Sequence, residues 1–217
     1  MSDIDATHRR IRSLVTGANT GIGYVTAREL ARRGDHVVVA CRSEAKAHTA
    51  MATIMAETGN TALEPLVMDL ADLASVQRAA SELLASGEPL DVVVANAGIG
   101  GQRGLTPQGF ELHFGTNHLG HFLFVTQLLP LIEAAEAGRV VVVSSMAHLD
   151  PPGIDFVAVR SSTKTFTGYP EYGVSKLANV VFAQELARRT PERVFVGSVH
   201  PGVVATDVWR RMPWPLR

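Results

Sequence analysis

Three short runs, residues 36–40 (HVVVA), 91–95 (DVVVA) and 139–144 (RVVVVS), are β-branched and show no alternation of polar and apolar side chains. Branched side chains favour extended backbone. A run without alternation suits a strand buried on both faces, as in a parallel sheet covered by helices. Shorter strand signals stand at 14–16, 63–68 and 194–199, and Pro65 places the 63–68 run at or near a sheet edge. Helical patterns lie between them: 21–33 with Gly34 as its stop, 44–57 closed by Gly59, 73–85, and 172–189. A longer pattern covers 107–135, kinked or broken around 115–120. Strand and helix alternate six times, which predicts an α/β fold: a doubly wound parallel sheet with helices on both faces.

Ligands of such sheets bind outside the C-terminal ends of the strands. Gly17, Arg42, Asp69, Asn96, Ser145 and Pro201 each follow a different strand and share that rim. Residues 14–23 read LVTGANTGIG, a strand end, a turn with Gly17, Gly21 and Gly23, then a helix start. Glycine accepts positive φ and lets a ligand approach. The N–H groups and dipole of a helix start favour a phosphate. The same spacing also serves an ordinary tight strand-to-helix turn. Arg42, in ACRS with no carboxylate beside it, suits a ribose 2′-phosphate; the alternative is a solvated surface arginine. Asp69 either accepts from an adenine amino group or caps the next helix, for which Asp72 competes. Asn96-Ala97-Gly98 is a small-residue turn that brings backbone close to a cofactor.

Tyr172 and Lys176, in YGVSK, are one helical turn apart on one face. A phenol with pKa about 10 must drop by roughly 2–3 to work near neutrality, and an adjacent ammonium favours that drop. Taken alone, Y-x-x-x-K is also a common surface pattern. Ser144-Ser145 ends the fifth strand, where a hydroxyl can hold a substrate oxygen. Asn117, in TNHLGHF, either anchors a water for proton supply or bonds to backbone at a helix kink. His118 and His121 are three apart without a carboxylate or thiol at ligand spacing, so no metal site is expected. No G-x-S-x-G occurs, which leaves a serine hydrolase without support.

Composition narrows the classes further. The 217 residues suit one domain, and 46% hydrophobic content supports a sizeable core. A net charge of -1 makes no electrostatic case for nucleic acid or an anionic membrane. The single Cys41 fits a reducing compartment. The start, MSDIDATHRRIRS, lacks the apolar core of a signal peptide. Residues 119–132 are too short and too interrupted, by Gly120, His121, Gln127 and Pro130, to span a membrane. A soluble, cytoplasmic protein of one domain, residues 1–217, is expected.

Taken together and in this order, TGANTGIG, Asp69, ANAG, Asn117, Ser145, Tyr172, Lys176 and HPGVVATD resemble the short-chain dehydrogenase/reductase family over about residues 12–207. The stretches ACRS, TNHLGHF, VVVSSMAH and YGVSKLANVVFAQELARR resemble its retinol-dehydrogenase-like branch. The resemblance implies a Rossmann-type sheet in the order 3-2-1-4-5-6 and hydride transfer between NADP(H), favoured over NAD(H), and a carbonyl or alcohol. It implies Tyr172 as acid/base and Lys176 as the residue that lowers the phenol pKa, helped by the positive ring of oxidised nicotinamide, and holds the nicotinamide ribose. Ser145 then positions the carbonyl, and Asn117 sustains a proton relay. The cofactor residues carried over are Gly17, Asn19, Thr20, Gly21, Ile22, Gly23, Arg42, Asp69, Leu70, Asn96, Ala97, Gly98, Tyr172, Lys176, Pro201, Gly202 and Thr206, with Asn96 also bracing the central strands.

Ala95 departs from the family's usual NNAG, and the chain stops at Arg217, where the family usually continues into a lid and a seventh strand. A longer natural protein, or a partner covering the tail, is therefore expected. The rival functions are an NADP(H)-binding regulator without turnover and a sugar-nucleotide reductase or epimerase. Apolar residues on 107–135 and 172–189, including Phe122, Phe124, Leu128, Val180, Val181 and Phe182, suggest a homodimer. Substrate specificity is expected in the long loop 146–170 and beyond Thr206.

Overall fold

The valine runs become the middle of one parallel sheet. The computed structural model describes residues 9–202. Its six strands are β1 (Arg12–Thr16), β2 (His36–Cys41), β3 (Leu63–Val67), β4 (Val92–Ala95), β5 (Arg139–Val143) and β6 (Phe195–Val199). They lie in the order β3-β2-β1-β4-β5-β6, all parallel. The order reverses between β1 and β4, which opens a crevice at their C-terminal ends. Pro65 sits on the edge strand β3, where its missing N–H costs no ladder bond. Among the described residues the other edge is β6, with Phe195 and Val199 exposed.

Successive side chains of each strand feed opposite faces. Val38, Val93, Val140 and Val142 pack under helices α3 (Leu73–Ser86), α4 (Gly120–Glu133) and α5 (Tyr169–Arg189), against Leu83, Phe124, Leu128 and Phe182. Val15, Val37, Val39 and Val143 face the other way, toward α1 (Gly21–Arg32) and α2 (Glu44–Thr58). Two cores on one sheet are what non-alternating strands require. Gly59 and Gly87 end α2 and α3 in the left-handed conformation. Asp72 caps α3, accepting from the Ala74 N–H at 3.1 Å.

The expected helix over 107–135 is shorter. Thr106-Pro107-Gln108-Gly109 forms a β-turn in which the Gly109 N–H donates to the Thr106 carbonyl at 2.9 Å, and Leu105 bridges Glu111 antiparallel. Proline at the second turn position and glycine at the fourth favour this over a helix. Phe114–Leu119 then forms a wide π turn that runs straight into α4. Helix α5 begins at Tyr169, three residues before the predicted start. The 146–170 loop contains two short 3₁₀ turns, Met146–Leu149 and Ala158–Arg160. Among the described residues no helix is long and apolar enough to cross a membrane.

Candidate active site

The cleft is built on glycines at which a side chain would be strained or would collide with its neighbours. Gly17 and Gly21 have φ of 67° and 55°. Gly23 is helical, but a Cβ there would lie 2.4 Å from both the Gly17 carbonyl oxygen and Asn96 Nδ2. The first two glycines shape the turn, and the third lets α1 press against it. Asn96 Nδ2 donates to the Thr16 carbonyl at 2.8 Å, which ties the end of β4 to the end of β1. Ala97 packs against the position where a Gly17 Cβ would be, at 3.0 Å. The start of α1 has no side-chain cap bond and no acid in its first turn. Its N–H groups and positive dipole end therefore suit a phosphate.

Arg42 and Ser43 stand at the end of β2. Arg42 is exposed, and Ser43 occupies the N-cap position of α2 without making a side-chain cap bond. Asp69 accepts from the Ala71 N–H at 3.0 Å and donates its own N–H to Ser75 Oγ at 3.1 Å. It shapes the turn after β3, whereas Asp72 does the capping. Leu70 is buried, and its carbonyl would lie 2.4 Å from a Cβ on Gly120, so α4 passes this turn in close contact.

The polar residues near the β4 and β5 ends lie within a short span. Tyr172 is buried, and its hydroxyl is hydrogen-bonded to the Ser145 side chain. Burial pushes the phenol above its ordinary pKa, partly offset by Ser145. The downward shift expected from Lys176 is not present in this arrangement. Lys176 Nζ lies 5.5 Å from the centre of the tyrosine ring and donates to the Val143 carbonyl at 3.0 Å. Burial lowers its pKa to about 8. Ser144, by contrast, turns away and donates to the Lys176 carbonyl at 2.8 Å. Only Ser145 of the serine pair reaches the tyrosine.

Asn117 lies in the π turn, and its side chain is fully engaged. Nδ2 donates to the Ile99 carbonyl at 3.1 Å and to Ser175 Oγ at 3.0 Å, and Oδ1 accepts from the Ile99 N–H at 2.8 Å. The amide clamps the loop after β4 to α5, with both Nδ2 protons and one Oδ1 lone pair in use. A Cβ on Gly98 would come 3.3 Å from Asn117 Oδ1 and 3.7 Å from Lys176 Nζ, so this glycine keeps the space between them open.

His118 is lowered to a pKa of about 4 by burial among Phe114, Phe122 and Phe182, with Asn179 as its polar partner. His121 faces Thr16 instead. The two predicted neighbours thus turn to different partners. Sequence reasoning missed Thr16, Ser175 and His121 as site residues. The only signal for His121 is its place four residues after Asn117, where a helical side chain can reach back to a carbonyl. Pro201 and Gly202 are exposed at the end of β6, Asn19 and Thr20 lie in the turn into α1, and Ile22 lies in its first turn. Thr206, and Trp209, Met212, Trp214 and Leu216 of the expected lid, lie outside the described residues.

The short-chain dehydrogenase family model matches residues 12–214. Human retinol dehydrogenase 13 is 41% identical over 199 residues, covering 91% of this chain and 60% of the relative. Mouse retinol dehydrogenase 12 is 42% identical over 199 residues, covering 91% and 62%. The chain therefore spans about three-fifths of the length of these curated relatives. A short-chain dehydrogenase from Sphingobium yanoikuyae in complex with NADPH superimposes with a TM-score of 0.75 at 25% identity, covering 93% of this chain and 74% of that one. Together with the parallel sheet and its strand order, these matches show that the chain belongs to the short-chain dehydrogenase family, in its retinol-dehydrogenase-like branch.

Proposed function

We propose that this chain, folded as one domain, is an oxidoreductase that moves a hydride between NADP(H) and a carbonyl or alcohol carbon, with Tyr172 as general acid and base. The observation that carries this reading is the convergence of Ser145, Tyr172, Lys176 and Asn117 beside the glycine cradle at the β1/β4 crevice. The residues present fit a dinucleotide phosphate: the α1 start takes the pyrophosphate, and Arg42 with Ser43 takes a 2′-phosphate. The NADPH bound by the Sphingobium relative supports this choice. The nicotinamide supplies or accepts the hydride; the protein holds the reactants and handles the proton.

In reduction, Tyr172 donates its hydroxyl proton to the carbonyl oxygen while the Ser145 hydroxyl donates a hydrogen bond to that oxygen. Burial keeps the phenol protonated, which suits a proton donor. Lys176 Nζ, held at the Val143 carbonyl and 5.5 Å from the ring centre, leaves the resting phenol raised, so its charge would come to bear on the phenolate that proton transfer creates. In the oxidative direction the phenol must lose its proton first, which the positive ring of oxidised nicotinamide would favour. Met146 and Leu149 are exposed beside Ser145 and favour a substrate with an apolar body. Phe122 and Val181 remain exposed on α4 and α5 whereas Phe124, Leu128 and Phe182 pack inward. The exposed pair favours a homodimer through these helices.

A panel of carbonyls and alcohols, followed at the absorbance of reduced nicotinamide with NADPH, NADP, NADH and NAD, tests the reading. Turnover with the phosphorylated pair supports it. Tight NADPH binding without turnover of any substrate would point to a cofactor-sensing regulator instead.

A further inference from the structure

The floor of the cleft and the π turn are joined by a chain of buried polar contacts. Thr16 Oγ1 accepts from the backbone N–H groups of Asn96 and Ala97, each at 2.9 Å. The same oxygen lies 2.8 Å from His121 Nε2, and His121 Nδ1 lies 2.9 Å from the Asn117 carbonyl oxygen. Thr16 is 1% exposed, His121 1% and Asn117 0%.

Hydrogen-bond capacity fixes every proton in this chain. A hydroxyl has two acceptor lone pairs and one proton. Two backbone N–H groups fill the Thr16 lone pairs, so Thr16 can only donate, and His121 Nε2 at 2.8 Å takes its proton ahead of the Val94 carbonyl at 3.5 Å. The Asn117 carbonyl can only accept, so Nδ1 carries the ring proton. The imidazole is therefore neutral and in the Nδ1–H form, since a protonated ring would offer Thr16 a third donor it has no lone pair to receive. Burial acts the same way and lowers the ring pKa to about 4, partly offset by the hydrogen bond to the Asn117 carbonyl and helped by Lys176 and His118. The order of donation runs from the Asn96 and Ala97 amides to Thr16, to His121, to the Asn117 carbonyl.

We infer that His121 is a positioning residue of the proposed reaction: with Thr16 it forms a one-way hydrogen-bonded relay that holds the Asn117 carbonyl in register with the floor of the cofactor cleft. The inference rests on the oxidoreductase reading above for its role in turnover, but not for its geometry. The Asn117 side chain spends both amide protons on Ile99 and Ser175 and ties its oxygen to the Ile99 N–H, and the backbone carbonyl is the group we assign to a proton relay. A carbonyl oxygen has two lone pairs; His121 takes one and thereby fixes the direction of this oxygen. A π turn leaves helix carbonyls less regularly placed than an α turn, and such turns recur at functional sites. A side chain that fixes one carbonyl therefore serves this position in particular.

Two measurements test it. The first is the ring spectrum of the 217-residue chain with ¹⁵N-labelled histidine, recorded with and without NADPH. His121 is expected as the neutral Nδ1–H tautomer down to about pH 5, with its Nε2 resonance shifted by NADPH. An Nε2–H tautomer, a protonated ring near pH 6, or no response to bound NADPH overturns the inference. The second is a cycle of Thr16→Val, His121→Phe and the double variant, with Thr16→Ser as the conservative control. Each single change is expected to lower kcat about tenfold per NADPH-binding site at unchanged substrate KM, as for a lost buried hydrogen bond. The double variant should cost scarcely more than either single, and Thr16→Ser should recover most of the loss. Additive losses, or losses in stability alone with kcat intact, overturn it. Should the variants fail to fold, the ring spectrum of the unaltered chain still decides. Absence of turnover in the unaltered chain counts against the oxidoreductase reading and leaves the relay to be decided by that spectrum.

Discussion

Lys176 is expected to destabilise the protein that needs it. Its ammonium sits 3% exposed under Tyr172, and burial takes its pKa from the ordinary 10.5 to about 8. That drop corresponds to about 3 kcal/mol of lost stability near neutral pH, where the folded chain must hold a charge the unfolded chain holds in water. Lys176→Met keeps the length and apolar stem and removes the charge. It also removes the bond from Nζ to the Val143 carbonyl, a net loss of about 1 kcal/mol. Asn179 Nδ2 still donates to that carbonyl at 3.2 Å, so the oxygen is not orphaned. The variant should gain about 2 kcal/mol, or about 4–8 °C in Tm for a chain of this size. Its turnover should be lost.

The pH dependence supplies the sign. Between pH 8 and 10.5 the unfolded wild type retains a proton on Lys176 that the folded wild type has released. Wild-type stability from this group therefore rises with pH through that window, and the advantage of the methionine variant shrinks. Thermal unfolding of both proteins followed by circular dichroism near pH 7 and about pH 10 measures the gap. A methionine variant that is no more stable near pH 7, or a gap that does not narrow with pH, would refute the reasoning.

Other changes separate the roles of individual residues. Tyr172→Phe should keep NADPH affinity and lose about 10²-fold or more in kcat, as for loss of a positioned acid; near wild-type turnover would remove Tyr172 from the mechanism. Arg42→Ala should weaken NADPH binding about tenfold, the loss of a charge-assisted pair, and leave NADH nearly unchanged in fluorescence titration. Gly23→Ala places a methyl 2.4 Å from the Gly17 carbonyl oxygen and from Asn96 Nδ2, so α1 must withdraw. It should cost about 1–3 kcal/mol in denaturant unfolding and weaken NADPH binding as well; an unchanged unfolding midpoint would show the turn to be compliant. Light scattering at micromolar concentration should give a dimer mass that Phe122→Asp with Val181→Asp reduces to that of a monomer.

The sequence alone determined the sheet. β-branched valine without alternation in 36–40, 91–95 and 139–144 suits strands buried on both sides, and helices between parallel strands follow from chain connectivity. The edge position of β3 was legible from Pro65, because proline lacks a ladder donor. The rim residues were legible too, since each must follow a strand to reach the cleft. What the sequence left open was which member of each local set does the work. Ser144 and Ser145 are adjacent and alike, and only the packing of α5 sends one to the Lys176 carbonyl and the other to Tyr172. The Pro107-to-Gly109 turn overrode a helical pattern of apolar residues that was real but served a short bridge and a π turn. Thr16 and His121 are 105 residues apart, and no spacing rule joins them. Their contact exists because β1 and β4 are neighbours in the sheet and α4 crosses behind them, a consequence of tertiary packing in which local propensity has no part.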